Sequence, residues 1–366
     1  MLRNDREVIA YLLERGLLQP EHIVDGTLRA WNVSRRNRNY RIVWKNGPGL
    51  VLKQAEGASR IATLAREAAV YRFFQSAENS AALAQYLPSF HFYDDENHVL
   101  VLPVIPGSES MTLYHGRRGR LSVILAGALG EALAALHTVS RAGPPPDLGH
   151  HAQPLSFPVC WPDIGTYLTS SWASLEFLRI LQESGDLCDW IDRVRKKWQP
   201  EAFFHGDMRL DNCIVYGTSS HRPTKVLLVD WEFSGIGDPL WDVGAVWAEY
   251  LSFWLNSIPV GGDVPAARAV DLAERPLGSI TPAIRKFWRA YKCSLPAECA
   301  PSSTTIVNAV EFTAARLVQI GFEQSELMDR VTAKAVALLQ LSHNILRRPR
   351  EAAVQLLGFD LDEVYP

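Results

Sequence analysis

The chain has 366 residues, 47% of them hydrophobic, with 37 basic and 40 acidic side chains and a formal net charge of −3. That length can bury a substantial core and build two lobes, and the nearly cancelled charge carries no global mark of a nucleic-acid or membrane partner. Five cysteines (Cys160, Cys188, Cys213, Cys293, Cys299) form no Cys-x-x-Cys spacing, which argues against a disulfide framework or a zinc site and leaves buried free thiols as the expectation. The opening "MLRNDREVIA" has four charges and no apolar stretch, so no secretory signal is expected, and runs such as Val99 to Ile105 are far too short to span a membrane. A cytoplasmic protein is the expectation.

In chain order, Asp5 to Leu18 reads as an amphipathic helix stopping near Gly16 and Pro20. Val24 to Gln54 turns to strand: a segment around Leu28 to Val33, a polar loop, "YRIVW", a turn at Asn46-Gly47-Pro48-Gly49, and "LVLKQ", the pattern of an antiparallel hairpin or meander. Arg60 to Gln75 is helical and "HVLVLPV" is a strand. Leu121 to Thr138 is a helix with Leu121, Leu125, Leu129, Leu133 and Leu136 along one stripe. Ala142 to Pro162, with three consecutive prolines, reads as a loop. Helices follow near Ile164 to Gln182 and Asp186 to Trp198, then "FFHGDMRLDNCIV", a strand "KVLLVD", and a helical remainder including Thr305 to Leu327 and Asp329 to Arg347. Strands crowd the first hundred residues and helices the rest. A boundary near Pro106-Gly107 divides the chain into 1–106 and 107–366.

The stretch Phe203 to Val215 places His205, Asp207, Asp211 and Asn212 within eight residues, between apolar runs. It lies on a loop leading into the strand "CIVYG", and Asp230 ends the next apolar segment. Carboxylates held between apolar segments are costly unless hydrogen bonds or cations meet them. Asp207 and Asp230 together suggest a shared cation.

His205-Gly206-Asp207, four further residues, Asn212, and then Asp230 resemble the catalytic loop and metal-binding segment of the eukaryotic-type kinase fold. Histidine-glycine-aspartate, with "DWEFSGIGDPLWDVG" downstream, is more narrowly similar to the aminoglycoside phosphotransferase and choline kinase branch. There Asp230-Trp231-Glu232, Gly237-Asp238-Pro239 and Asp242 match the pattern. The resemblance, recognisable from about Val24 to Val246, implies an α+β bilobal kinase-like fold: an antiparallel N-terminal sheet with a helix, and a mainly helical C-terminal lobe. It implies ATP or GTP with Mg²⁺. Asp207 would orient and deprotonate the attacking hydroxyl, while Asn212 and Asp230 would hold the metal. Lys53, ending "LVLK", would contact the nucleotide phosphates, and Glu67, in the next helix, would hold that lysine. His205 would act structurally by bonding the loop backbone, or else touch the reactants.

Between the first two strands "NVSRRNRNYRI" replaces the glycine-rich loop of protein kinases. It resembles the serine- and asparagine-containing loops of the phosphotransferase branch, with Ser34 and nearby amides placed for phosphate oxygens and Arg35, Arg36 or Arg38 adding charge. Asn37 and Asn39 tolerate left-handed backbone. In "VLVLPVIPG", Leu102 and Val104 are the candidates for contacting the adenine base; Pro103 has no amide hydrogen, so the donor is Val104 or its neighbour.

The acceptor falls to the C-terminal portion. Trp241 to Pro366 holds fourteen acidic and twelve basic residues, too balanced to favour a polycation. Trp247, Tyr250 and Trp254 share one helix and either pack in the core or stack on the acceptor. His150-His151 and His343 have no metal-ligand spacing. The resemblance implies as acceptor a hydroxyl of a small metabolite or antibiotic, or of serine or threonine in a precursor peptide that a partner lyase then dehydrates, and the balanced charge permits either. The alternative is an inactive kinase-like scaffold subunit. Keeping Asp207, Asn212, Asp230, Lys53 and Glu67 together speaks against it.

Overall fold

The computed structural model describes residues 2, 4–33, 38–45, 47, 49–76, 81–139, 153–154, 156–217, 224–259, 270–299 and 301–364. The N-terminal part is built on a five-stranded antiparallel sheet of order β1-β2-β3-β5-β4, from β1 (Arg29–Asn32), β2 (Arg38–Val43), β3 (Leu50–Gln54), β4 (Phe92–Asp94) and β5 (Val99–Pro103). Successive side chains of β5 point to opposite faces, and Val99, Leu100, Val101 and Leu102 are all buried. A strand covered on both sides reads as an unbroken apolar run. On one face Val99 and Val101 pack with Leu50, Leu52 and the helix Asp5–Glu14 through Val8, Tyr11 and Leu12. On the other, Leu100 and Leu102 join the core that includes Leu64, Ala68 and Tyr71 of the helix Ala58–Ser76. Because Leu50 and Leu52 occupy the first face, Val51 and Lys53 point to the second, paired in register with Leu102 and Leu100.

The second core extends without interruption into the helical part, whose main helices are Val123–Val139, Pro239–Leu255, Thr281–Ser294, Ser303–Glu326 and Ala333–Arg347. The helices Pro239–Leu255 and Ser303–Glu326 cross at Gly244, where a β-carbon would lie 2.8 Å from the Thr313 amide nitrogen. No larger residue permits that approach. The crossing fixes the two helices that reach the loop between Phe204 and Cys213. Two small sheets support that segment: β7 (Ala202–Phe204) pairs with β10 (Gly235–Gly237), and β8 (Cys213–Tyr216) lies between β6 (Glu109–Ser110) and β9 (Lys225–Leu228).

The observed architecture is the α+β bilobal, kinase-like one implied by the resemblance. Several boundaries differ. The first helix ends at Glu14, not Leu18, because Gly16 turns left-handed (φ 67°) and the Leu17 and Leu18 amides fold back onto the Leu12 carbonyl. The stretch expected as one helix over Ile164 to Gln182 is two, Ile164–Thr169 and Trp172–Glu183, since extended Ser171 caps the second by accepting from the Ser174 amide. Thr332 similarly delays the last long helix to Ala333. Strands β4, β6, β7 and β10, at two or three residues each, are too short for periodicity to register. Trp247, Tyr250 and Trp254 are buried, and Trp247 packs edge-on against Trp288 at 5.5 Å, so they belong to the core. Cys160, Cys188 and Cys213 are buried as expected, whereas Cys293 is exposed and Cys299 partly so. Most of the proline-rich loop, with His150 and His151, lies outside the described residues. No described helix is long and apolar enough to cross a membrane.

Candidate active site

Lys53 stands on the cleft-facing side of β3, and its Nζ lies 2.9 and 3.0 Å from the two Glu67 carboxylate oxygens and 2.8 Å from Asp230 Oδ1. A strand lysine, a helix glutamate and an aspartate 177 residues further on thus meet at one point. Asp230 follows β9 by two residues and holds a left-handed backbone (φ 71°). A non-glycine residue pays strain to sit there, and such strain gathers at functional positions. Glu67 is sealed from solvent. Burial pushes its carboxyl up, to about 7, despite Lys53, because the neighbouring Asp230 and Glu232 charges oppose a further anion.

The loop between β7 and β8 is held rigidly from beneath. Asp242, fully buried in the first turn of the helix Pro239–Leu255, accepts from the His205 amide at 2.7 Å and the Gly206 amide at 3.0 Å. His137 contacts the same carboxylate at 3.2 Å and reaches the Tyr291 hydroxyl at 2.9 Å. Asp238 caps that helix by accepting from the Leu240 amide, and burial raises its carboxyl to about 6. Gly206 is left-handed (φ 82°), and a β-carbon there would sit 2.3 Å from the Phe233 carbonyl oxygen. Only glycine fits between His205 and Asp207. The His205 ring spans the loop: Nε2 donates to the Val229 carbonyl at 3.0 Å, and Nδ1 accepts from the Asp207 amide at 3.4 Å. Trp231 packs against that ring, centroids 4.6 Å apart.

Asn212 donates to the Asp207 carbonyl at 2.9 Å and to Asp207 Oδ2 at 3.3 Å. Its own backbone carbonyl accepts from Val229, the residue before Asp230, so one ladder of bonds brings Asp207, Asn212 and Asp230 together. With its amide nitrogen spent on Asp207, Asn212 offers Oδ1, which has no bond among the described residues. Asn212 and Asp230 form an all-oxygen donor set of the kind a hard divalent cation requires, and the residues fit such an ion.

Four residues near this loop carry charge that sequence reasoning missed. Arg316, completely buried in the helix Ser303–Glu326, donates to Asp207 Oδ1 at 3.0 Å and to Glu323 Oε1 at 3.3 Å. Arg209 donates to the other Glu323 oxygen at 2.7 Å. Burial alone would raise the Glu323 carboxyl, but Arg316 and Arg209 hold it below its ordinary value. Glu249 accepts from the Leu210 amide at 3.4 Å, and its burial pushes its carboxyl up. The available signal was the seven-residue spacing of Arg316 and Glu323, a polar stripe in a helix otherwise rich in buried apolar residues.

Above the loop, a cavity of about 270 Å³ opens between the sheet and β8–β9, lined by Val51, Lys53, Leu102, Val104, Ile214 and Val229. Both expected base-contacting residues line it. The Val104 amide, however, donates to the Gly49 carbonyl at 3.0 Å, so the open donor is its neighbour Ile105, whose amide bonds nothing among the described residues. Ser34, Arg35, Arg36 and Asn37 lie outside the described residues. Arg38 is described and pairs with Glu56 at 3.6 Å.

None of the curated proteins matches the chain in sequence. Solved structures do match in fold. A choline kinase from Cryptosporidium parvum superposes with a TM-score of 0.59 at 12% identity, over 97% of this chain and 99% of that one. An ethanolamine kinase from Plasmodium vivax gives 0.56 at 12%, over 95% and 90%. An amicoumacin kinase in complex with AMP-PNP, Ca²⁺ and Ami gives 0.56 at 13%, over 99% and 100%. At these identities the likeness shows the fold. The sequence model of the phosphotransferase enzyme family matches residues 27–276, a span from the first strand past Asp230. The chain belongs to that phosphotransferase enzyme family and is a kinase.

Proposed function

We propose that the chain transfers the γ-phosphoryl group of ATP or GTP to a hydroxyl of a small molecule, with 1–106 holding the nucleotide and 107–366 supplying the catalytic loop and the acceptor site. The observation that carries this reading is the meeting of Lys53, Glu67 and Asp230 within 3.0 Å, at the mouth of a slot lined by Leu102 and Val104. In this reading the acceptor hydroxyl yields its proton to Asp207 as its oxygen bonds to phosphorus. The bond from phosphorus to the bridging oxygen breaks, and the nucleoside diphosphate leaves. Lys53 holds phosphate oxygens and is itself held by Glu67, with Ser34, Arg35 and Asn37 adding to the phosphate side. Asn212 and Asp230 would hold Mg²⁺, which when bound offsets phosphate charge. His205 ties the loop to Val229, keeping Asp207 in place. The reaction belongs to the cytoplasm in this proposal.

Small-molecule acceptors are favoured because the fold neighbours are choline, ethanolamine and amicoumacin kinases. The test is direct. With Mg²⁺, ATP or GTP at about 100 times its Kd should stabilise the protein by about 2.7 kcal/mol, and a hydroxyl-bearing metabolite should gain one phosphate in mass. Loss of water from a precursor peptide incubated with a partner lyase would move the acceptor to serine or threonine. Absence of nucleotide affinity under every metal condition would make the chain a scaffold.

A further inference from the structure

Arg316 is a fully buried cation beside the loop, and nothing about packing calls for it. A buried guanidinium is tolerated only where carboxylates and hydrogen bonds match it, and an apolar side chain of similar volume would serve the core as well or better. Arg316 spends its two terminal nitrogens on different carboxylates, Asp207 Oδ1 at 3.0 Å and Glu323 Oε1 at 3.3 Å. Glu323 is fixed in turn by Arg209 at 2.7 Å and Gln319 at 2.9 Å. The chain Asp207, Arg316, Glu323, Arg209 alternates in sign and ends on a partly exposed arginine. Its inner end holds one carboxylate oxygen of the residue assigned above to proton abstraction.

Among the described residues the other oxygen, Asp207 Oδ2, has only the longer 3.3 Å contact from Asn212 Nδ2. We propose that Arg316 is a positioning residue for phosphoryl transfer: it clamps Asp207 Oδ1 against the helix Ser303–Glu326 so that Oδ2 is the oxygen presented to the acceptor proton. The inference rests on the proposed function and deepens it. Arg316 touches no substrate; it sets the rotamer of the group that does. The brace is two-sided, since Asp242 holds the loop backbone from the helix Pro239–Leu255, while Arg316 holds the side chain from the helix crossing it at Gly244. Positional errors near an ångström cost about 100-fold in rate, so the clamp should register in turnover and not in nucleotide binding.

The experiment follows ADP formation from ATP and Mg²⁺ with the wild-type chain, first across a panel of hydroxyl acceptors including water, then with Arg316→Met, Arg316→Lys and Glu323→Gln. The expected result is a kcat reduced about 100-fold in Arg316→Met with the KM for ATP unchanged. Arg316→Lys, which keeps a cation able to reach Asp207, should recover about tenfold of that loss, and Glu323→Gln should lose less than about tenfold. Should Arg316→Met fail to fold, the other two variants, which keep the buried polar partners, carry the test through the order wild type, Glu323→Gln, Arg316→Lys. Turnover in Arg316→Met or Arg316→Lys equal to wild type, or a loss expressed only in the KM for ATP, overturns the proposal and leaves the proposed function standing. A wild-type chain that binds ATP yet forms no ADP with any acceptor overturns both.

Discussion

Two sites flanking the cleft repeat one chemical theme: a cation held between an aspartate of the candidate reaction site and a glutamate on a helix. Lys53 joins Asp230 to Glu67, and Arg316 joins Asp207 to Glu323. The two differ in access and in balance. The Lys53 side chain is 12% exposed and that of Arg316 is 0% exposed. On the first side one ammonium serves two carboxylates, and burial with Asp230 nearby pushes Glu67 up to about 7. On the second, Glu323 sits between two arginines and a glutamine and is held below its ordinary value although burial opposes this. The partly exposed cation, bonded to two carboxylates, can exchange one of them for a phosphate oxygen. The closed one, its two terminal nitrogens held by two carboxylates while its Nε has no partner among the described residues, is built to stay where it is.

That contrast can be broken from either side. The largest effect is expected from Lys53→Met, which removes the exchangeable cation: transfer should fall about 10²- to 10³-fold with weaker nucleotide affinity, read by steady-state kinetics and by nucleotide titration. Loss of kcat alone would make the two cations equivalent in role and erase the contrast.

Next in size is a pH effect led by Glu67, to which Asp238, raised by burial to about 6, adds with the same sign. The unfolded chain loses the Glu67 proton near about 4.3, whereas the folded carboxyl keeps it until about 7. The folded state therefore forfeits stability as pH rises across that window, by up to about 3 kcal/mol. Glu67→Gln should shrink this decline to the part that Asp238 contributes, in denaturant melts compared at about pH 5 and about pH 7.5. Glu323 has the opposite sign: its contribution is complete above the unfolded value and is lost only as pH falls through its depressed one. A Glu323→Gln variant that also flattened the neutral-pH slope would contradict the assignment of that slope to Glu67.

The smallest effect belongs to the outer end of the second chain. Arg209→Gln leaves Glu323 with Arg316 and Gln319, and Arg209 is half in solvent. Stability should change by no more than about 1 kcal/mol in denaturant titration. A larger loss would mean that the alternating chain is held from its surface end.

What the sequence disclosed follows the same division. Asp207, Asn212 and Asp230 stood out because short segments of distinctive polarity interrupt apolar runs, whereas Lys53 and Glu67 alone read as an ordinary strand-end lysine and helix glutamate and were singled out by the resemblance those three residues carry. Arg316 was not. It reaches Asp207 across 109 residues, and its helix shows an ordinary amphipathic pattern in which one arginine passes for a surface residue. His137 was hidden for the same reason, being one polar residue in a helix buried almost all round. Asp242 was visible as a motif member, while its work of holding the His205 and Gly206 amides appears only in three dimensions. The sheet was readable through β3 and β5, whose five-residue patterns are long enough to show a period; the two- and three-residue strands that carry the loop were not.

The central claim is that Asp207 draws a proton from a hydroxyl while Lys53 holds the nucleotide phosphates, and it is tested most directly by comparing the wild type with Asp207→Asn, using ATP labelled at the γ-phosphate and Mg²⁺. The account predicts equal nucleotide affinity for the two proteins, with label passing to an acceptor at least about 100-fold more slowly in the variant. Equal transfer rates in both would contradict it.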